Sequence, residues 1–113
     1  MAKLADRGSA TRKEPRTAVR LDLTDVVWTA DGATAIRCMS TDVSPQGLGV
    51  VGFFPFERFM PLMVKINGKT IPVVVSWVRR DPAREQVFHA GLKTVESGAN
   101  LFKEFRRAGI LTT

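Results

Sequence analysis

Tyrosine is absent from this 113-residue chain, cysteine and histidine occur once each, and tryptophan occurs twice. Each shortage excludes something. Cys38 has no second thiol with which to close an internal disulfide, and with His89 it leaves no spacing for a transition-metal site. Without tyrosine, exposed strand faces lack the alternation of aromatic and basic residues that a single-stranded nucleic-acid platform uses. Apolar runs are short, because Arg, Asp, Pro or Gly interrupts every stretch well before the roughly 18 residues of a membrane span. The N-terminal residues lack the apolar stretch of a secretory signal, so a cytoplasmic location without membrane insertion is expected.

What remains is 44% hydrophobic and 25% charged, a balance that supports one soluble domain with a single core. Seventeen Lys and Arg stand against eleven Asp and Glu, a formal net charge of +6 that favours an anionic partner. The excess is concentrated at the start, where Lys3, Arg7, Arg12, Lys13, Arg16 and Arg20 face only Asp6 and Glu14. Residues 1–11 read as a flexible basic arm, 12–108 as the folded domain and 109–113 as a tail.

Val19, Leu21 and Leu23 alternate with Arg20, Asp22 and Thr24, the period of a strand with one buried face. Asp31-Gly32 suits a tight turn, after which residues 33–40 should return antiparallel to that first strand. Asp42-Val43-Ser44-Pro45-Gln46-Gly47 is turn chemistry, and the glycine-spaced stretch that follows reads as a third strand. Strands over 62–66 and 70–78 flank Asn67-Gly68, a strong hairpin signal. A sixth strand is expected over 86–94 and an amphipathic helix over 96–107, stopped by Gly109. Six evenly spaced strands predict an all-β fold: a closed six-stranded antiparallel β-barrel with a C-terminal α-helix packed outside.

Catalysis finds little support. Ser44 and His89 are not set in a nucleophile-elbow motif, no phosphate-binding loop opens a helix, and His89 reads as an ordinary strand residue. The chain is therefore expected not to be an enzyme and to need no cofactor. Binding is better supplied. Arg12 and Arg16 present two guanidinium groups where the arm meets the first strand, and each can fork onto a phosphate, grip the O6/N7 edge of guanine or stack on a base. Asp42 can accept from guanine N–H groups, Ser44 offers a hydroxyl, and Gly47 allows close approach of a ligand. Each feature alone is also an ordinary basic tail or an ordinary turn.

Taken together, an Arg-x-x-x-Arg pair at the mouth of a first strand and an Asp-x-Ser-x-x-Gly turn opening a third resemble the PilZ domain family of bacterial receptors. The resemblance runs over residues 10–107. It implies a cyclic di-GMP-binding barrel, with Arg12, Arg16, Asp42, Ser44 and Gly47 at the ligand and no metal or cofactor. Lys13, Arg20 and Trp77 are auxiliary candidates. Arg16 and Arg20 satisfy the arginine spacing as well, but Pro15 holds the chain extended before Arg16, which favours Arg12 with Arg16. Trp77 lies in phase with Ile71, Val73 and Val75, so it reads either as core or as a neighbour of the nucleotide. The cluster Phe53, Phe54, Phe56, Phe59 and Met60 reads as core or as a partner surface.

The resemblance also implies an output through a downstream protein, such as a flagellar motor component or surface-polysaccharide machinery, with control of motility or surface behaviour. Binding would order the arm over the barrel. No DNA partner is expected. Two other readings stay open: a small basic barrel for single-stranded nucleic acid, and a PilZ-type adaptor that needs no nucleotide.

Overall fold

A computed structural model describes residues 16–109; the expected arm, Arg12 and Lys13 lie outside the described residues. In chain order the elements are β1 (Thr17–Ala18), β2 (Val27–Thr29), β3 (Met39–Ser44), β4 (Gly47–Gly52), β5 (Pro61–Ile66), β6 (Lys69–Arg80), β7 (Phe88–Thr94) and α1 (Leu101–Arg107). The strands form one antiparallel sheet in the order β1-β3-β4-β7-β6-β5-β2.

Alternation builds the core. Leu62, Val64 and Ile66 of β5, Ile71, Val73 and Val75 of β6, Ala90 and Leu92 of β7, and Leu48 and Val50 of β4 all turn the same way and are buried. The β5–β6 hairpin has the two-residue turn its sequence predicts: Ile66 pairs with Lys69, and both Asn67 (φ 55) and Gly68 (φ 73) adopt the left-handed backbone of a type I′ turn.

Seven residues are too few for an isolated helix, so α1 depends on docking. Leu101 and Phe105 are fully buried in the core, each contributing about 1.5–3 kcal/mol. Asn100 caps the start by accepting the Lys103 amide, and the Leu101 amide donates to the Pro45 carbonyl in the β3–β4 turn. Near the other end, the buried Glu104 carboxylate accepts from Asn67 Nδ2 (2.8 Å) and Lys69 Nζ (2.6 Å). These bonds, Lys69 foremost and then Asn67, hold its pKa below the ordinary value. Asn67 therefore shapes a turn and anchors the helix with one side chain.

Several expectations are corrected. The all-β class with a C-terminal helix holds, but among the described residues the sheet has seven strands and is not closed into a six-stranded barrel. The expected first strand is broken in two. Val19, Leu21 and Leu23 do face inward, and Val19, Leu21 and Leu23 exchange backbone hydrogen bonds with Thr41, Ser40 and Cys38. The ladder is interrupted where the buried Ser40 hydroxyl takes over, accepting from the Leu21 amide and donating to the Val19 carbonyl. Asp25 then turns the chain at φ 64, so β2 pairs with β5 instead. Between Gly32 and β3 the return is reduced to scattered bonds and isolated bridges, Trp28 to Ala35 and Asp22 to Met39.

The helix begins at Leu101 rather than at 96, because Gly98 sits at φ 89 and Asn100 is extended. Gly109, at φ 77, follows its end as expected.

Candidate functional site

The Asp-x-Ser-x-x-Gly segment folds as a tight hairpin in which only Pro45 and Gln46 lie outside the ladder, since Ser44 pairs with Gly47. Val43 enters the core, which turns its neighbour Asp42 outward. A bulge between Ser40 and Asp42 brings Thr41 and Asp42 over the same strand neighbour, Gly49. A Cβ at Gly49 would lie 2.9 Å from Asp42 Oδ1 and would collide with the Thr41 hydroxyl, so any side chain here would have to displace both.

Pairing of Thr17 with Val43 and Ala18 with Asp42 delivers Arg16 to the same corner. Its Nη1 donates to Asp42 Oδ1 at 2.8 Å, with the two side chains 33% and 28% exposed. A Cβ on Gly47 would lie 3.1 Å from Ser44 Oγ and 3.5 Å from Arg16 Nη2. Arg16, Asp42, Ser44 and Gly47 thus share one corner, in which Arg16 and Asp42 are about a third exposed and Ser44 and Gly47 are buried beneath them. An ion pair this exposed is worth only about 0–1 kcal/mol, so its contribution to the fold is small.

The pairing continues outward from this corner across the sheet. Asp42 lies opposite Gly49, Gly49 opposite Gly91, and Gly91 opposite Trp77. A bulge between Val75 and Trp77 inserts one residue and reverses the phase of β6, so Trp77 leaves the core side and lies on the outer face, 39% exposed. The reading of Trp77 as a core residue is therefore corrected. Its indole lies against Gly91, so closely that a Cβ there would collide with Nε1 and the ring carbons beside it. The two buried glycines are thus covered, Gly49 by Thr41 and Asp42 and Gly91 by Trp77, which sets a carboxylate and a guanidinium at one end of this row and an indole at the other. Such a surface can accept paired N–H donors, hold a phosphate and carry a flat ring.

Lys93, exposed on β7 opposite Gly47, adds a cation beside the corner. No motif marks it. Gly91 had a legible signal, a glycine inside an apolar strand, which indicates close approach of another group.

The remaining candidates are placed elsewhere. Arg20 is exposed and lines a separate groove with Arg37 and Arg84. His89 Nε2 lies 2.9 Å from Asp81 Oδ2, and this contact, with amide donation from Ala83 and Arg84, lowers the Asp81 pKa to about 2. Burial, reinforced by nearby Asp22, raises the Cys38 thiol to about 12. Of the aromatic cluster, Phe56 is core while Phe53 and Phe59 stand exposed. Among the described residues no group of three or more His, Cys, Asp or Glu could hold a metal ion, and no helix is long and apolar enough to cross a membrane.

The fold is similar to that of the Bacillus subtilis inhibitor of motility (MotI/DgrA), with a TM-score of 0.55 and 20% sequence identity over 87% of this chain and 48% of that one. The chain thus spans about half the length of that protein, and the likeness is one of fold. No protein-family model matches the chain, and no curated protein does.

Proposed function

We propose that the chain is a cyclic di-GMP receptor of the PilZ type that passes its signal by binding a protein. The observation that carries this reading is the meeting of Arg16 with Asp42, Ser44 and Gly47 at one corner of the sheet, from segments far apart in sequence. Asp42 accepts the N1 and N2 hydrogens of a guanine. Arg16, already oriented by Asp42, forks onto a phosphate or the O6/N7 edge. Gly47 leaves the space the nucleotide occupies, and Lys93 adds to the positive field around a dianion. Trp77, lying over Gly91, offers a ring face to the second base.

Arg12 and Lys13 complete the site from the arm, which orders as the ligand binds. Ordering costs roughly 1–2 kcal/mol per backbone residue, and charge-assisted hydrogen bonds of about 1.5–3 kcal/mol each offset it. The covered surface then differs from the free one, and a partner protein reads the difference. A fold shared with a protein named an inhibitor of motility favours motility as the output. The role is binding and not catalysis, in the cytoplasm, without metal or cofactor.

Equilibrium dialysis of labelled cyclic di-GMP against wild type and the Arg12→Ala, Arg16→Ala and Arg20→Ala variants tests the assignment. Loss of binding in Arg12→Ala and Arg16→Ala, with Arg20→Ala retained, is the expected pattern. Retention in Arg16→Ala would remove the residue on which the reading rests.

A further inference from the structure

A second feature of the outer surface is unused by this reading. Beyond the Asp42–Gly49 pair, the β3–β4 ladder continues to the Met39–Val51 pair, and there the surface opens into a groove of about 420 Å³. Its rim carries three exposed arginines from separate parts of the chain: Arg20 after β1, Arg37 before β3, and Arg84 in the β6–β7 loop. Met39, Val51 and Phe53 supply apolar surface, and Phe53 is 73% exposed.

The rim keeps a net positive charge: three arginines stand against Asp22, which lines the groove, is held ionised by donation from the hydroxyl and amide of Thr24 and attracts Arg37, and against Asp81. Arg84 lies 3.7 Å from Asp81, whose same oxygen is 2.9 Å from His89. Arg20 makes no hydrogen bond or ion pair among the described residues.

We infer that this groove docks an acidic, apolar segment of a partner protein, its carboxylates forked by Arg20, Arg37 and Arg84 and an apolar side chain seated against Met39, Val51 and Phe53. Arginine, methionine and phenylalanine are the residues enriched at protein interfaces, and a bidentate guanidinium matches a carboxylate. A nucleic-acid strand fits less well, because the floor is mainly aliphatic and offers one aromatic ring where successive bases need several. The groove and the Arg16–Asp42 corner occupy successive stretches of one hairpin without sharing a side chain, so both can be filled at once. The inference rests on the reading above only in supposing that a protein receives the signal.

The test is an amide-resolved NMR titration of the full chain with a synthetic hexapeptide, acetyl-Glu-Asp-Leu-Phe-Asp-Glu-amide. Saturable shifts confined to residues around Arg20, Arg37–Met39, Val51–Phe53 and Arg84 are expected, and the Arg37→Glu/Arg84→Glu double variant should bind at least about tenfold more weakly. Phe53→Ala should weaken binding while leaving the spectrum otherwise folded. Three results overturn the proposal: no saturable shift at these amides, equal binding of the peptide with lysine at its acidic positions, or stronger binding of a short oligothymidylate in the same groove. Cyclic di-GMP in a parallel titration should shift Arg16, Asp42 and Gly47 instead. If it shifts nothing while the peptide binds, the nucleotide reading fails and the groove stands.

Discussion

Replacing Asp42 with alanine separates a structural role from a binding one. The carboxylate accepts one hydrogen bond from Arg16 at 2.8 Å, between side chains 33% and 28% exposed. Exposed pairs of this kind contribute about 0.2–1 kcal/mol, so Asp42→Ala should lower unfolding stability by no more than about 1 kcal/mol. Val43 beside it stays buried, and the β3–β4 ladder keeps its backbone bonds. If the same carboxylate grips guanine, its loss removes charge-assisted hydrogen bonds of about 1.5–3 kcal/mol, a Kd for cyclic di-GMP raised roughly ten- to a hundredfold. Asp42→Asn keeps the volume but replaces an acceptor with a donor and should show the same loss. GMP provides the control, because Arg16 released from its carboxylate still meets phosphate. Urea denaturation and calorimetric titration of the three proteins give both numbers. A stability loss above about 2 kcal/mol with unchanged affinity would refute the reasoning, because Asp42 would then be a structural residue.

Other positions give sharp expectations. Gly91→Ala places a methyl against the Nε1 side of the Trp77 indole and should cost about 1–3 kcal/mol, at the low end because the ring can swing into solvent. Its emission, read in a Trp28→Phe background, should shift to the red. Gly68→Ala meets no neighbour, so only the φ of 73 opposes it, a loss of roughly 1–2 kcal/mol in thermal or urea unfolding. Asn67→Ala should cost more, because it also strips a donor from Glu104. Asp81 is lowered from 3.8 to about 2, so its contribution to stability is complete above about pH 4 and lost as pH falls towards 2. Urea midpoints measured from pH 5 to pH 2 should therefore fall less steeply in Asp81→Asn than in wild type.

Much of this molecule is legible in its sequence where a residue's own backbone preference decides the outcome. Asn67-Gly68 specifies its hairpin because both residues tolerate positive φ, and the alternation through β5 and β6 names the core up to Val75. Asp42, Ser44 and Gly47, singled out by their turn chemistry, lie beside Arg16. The rest depends on register. One inserted residue between Val75 and Trp77 changes Trp77 from core to surface, and no local preference announces it. The first strand reads as continuous because its alternation is intact, yet the Ser40 side chain and the bulge beside it divide the ladder. Lys93 and the arginine groove are gathered by the fold from distant segments, and only their placement gives them a common face.

The direct test of the central claim is calorimetric titration of the whole chain with cyclic di-GMP, set beside GMP, cyclic di-AMP and a short oligonucleotide. The account predicts saturable binding of cyclic di-GMP at least about tenfold tighter than any of the others, abolished by Arg16→Ala. Affinity for cyclic di-GMP no better than for GMP would contradict it.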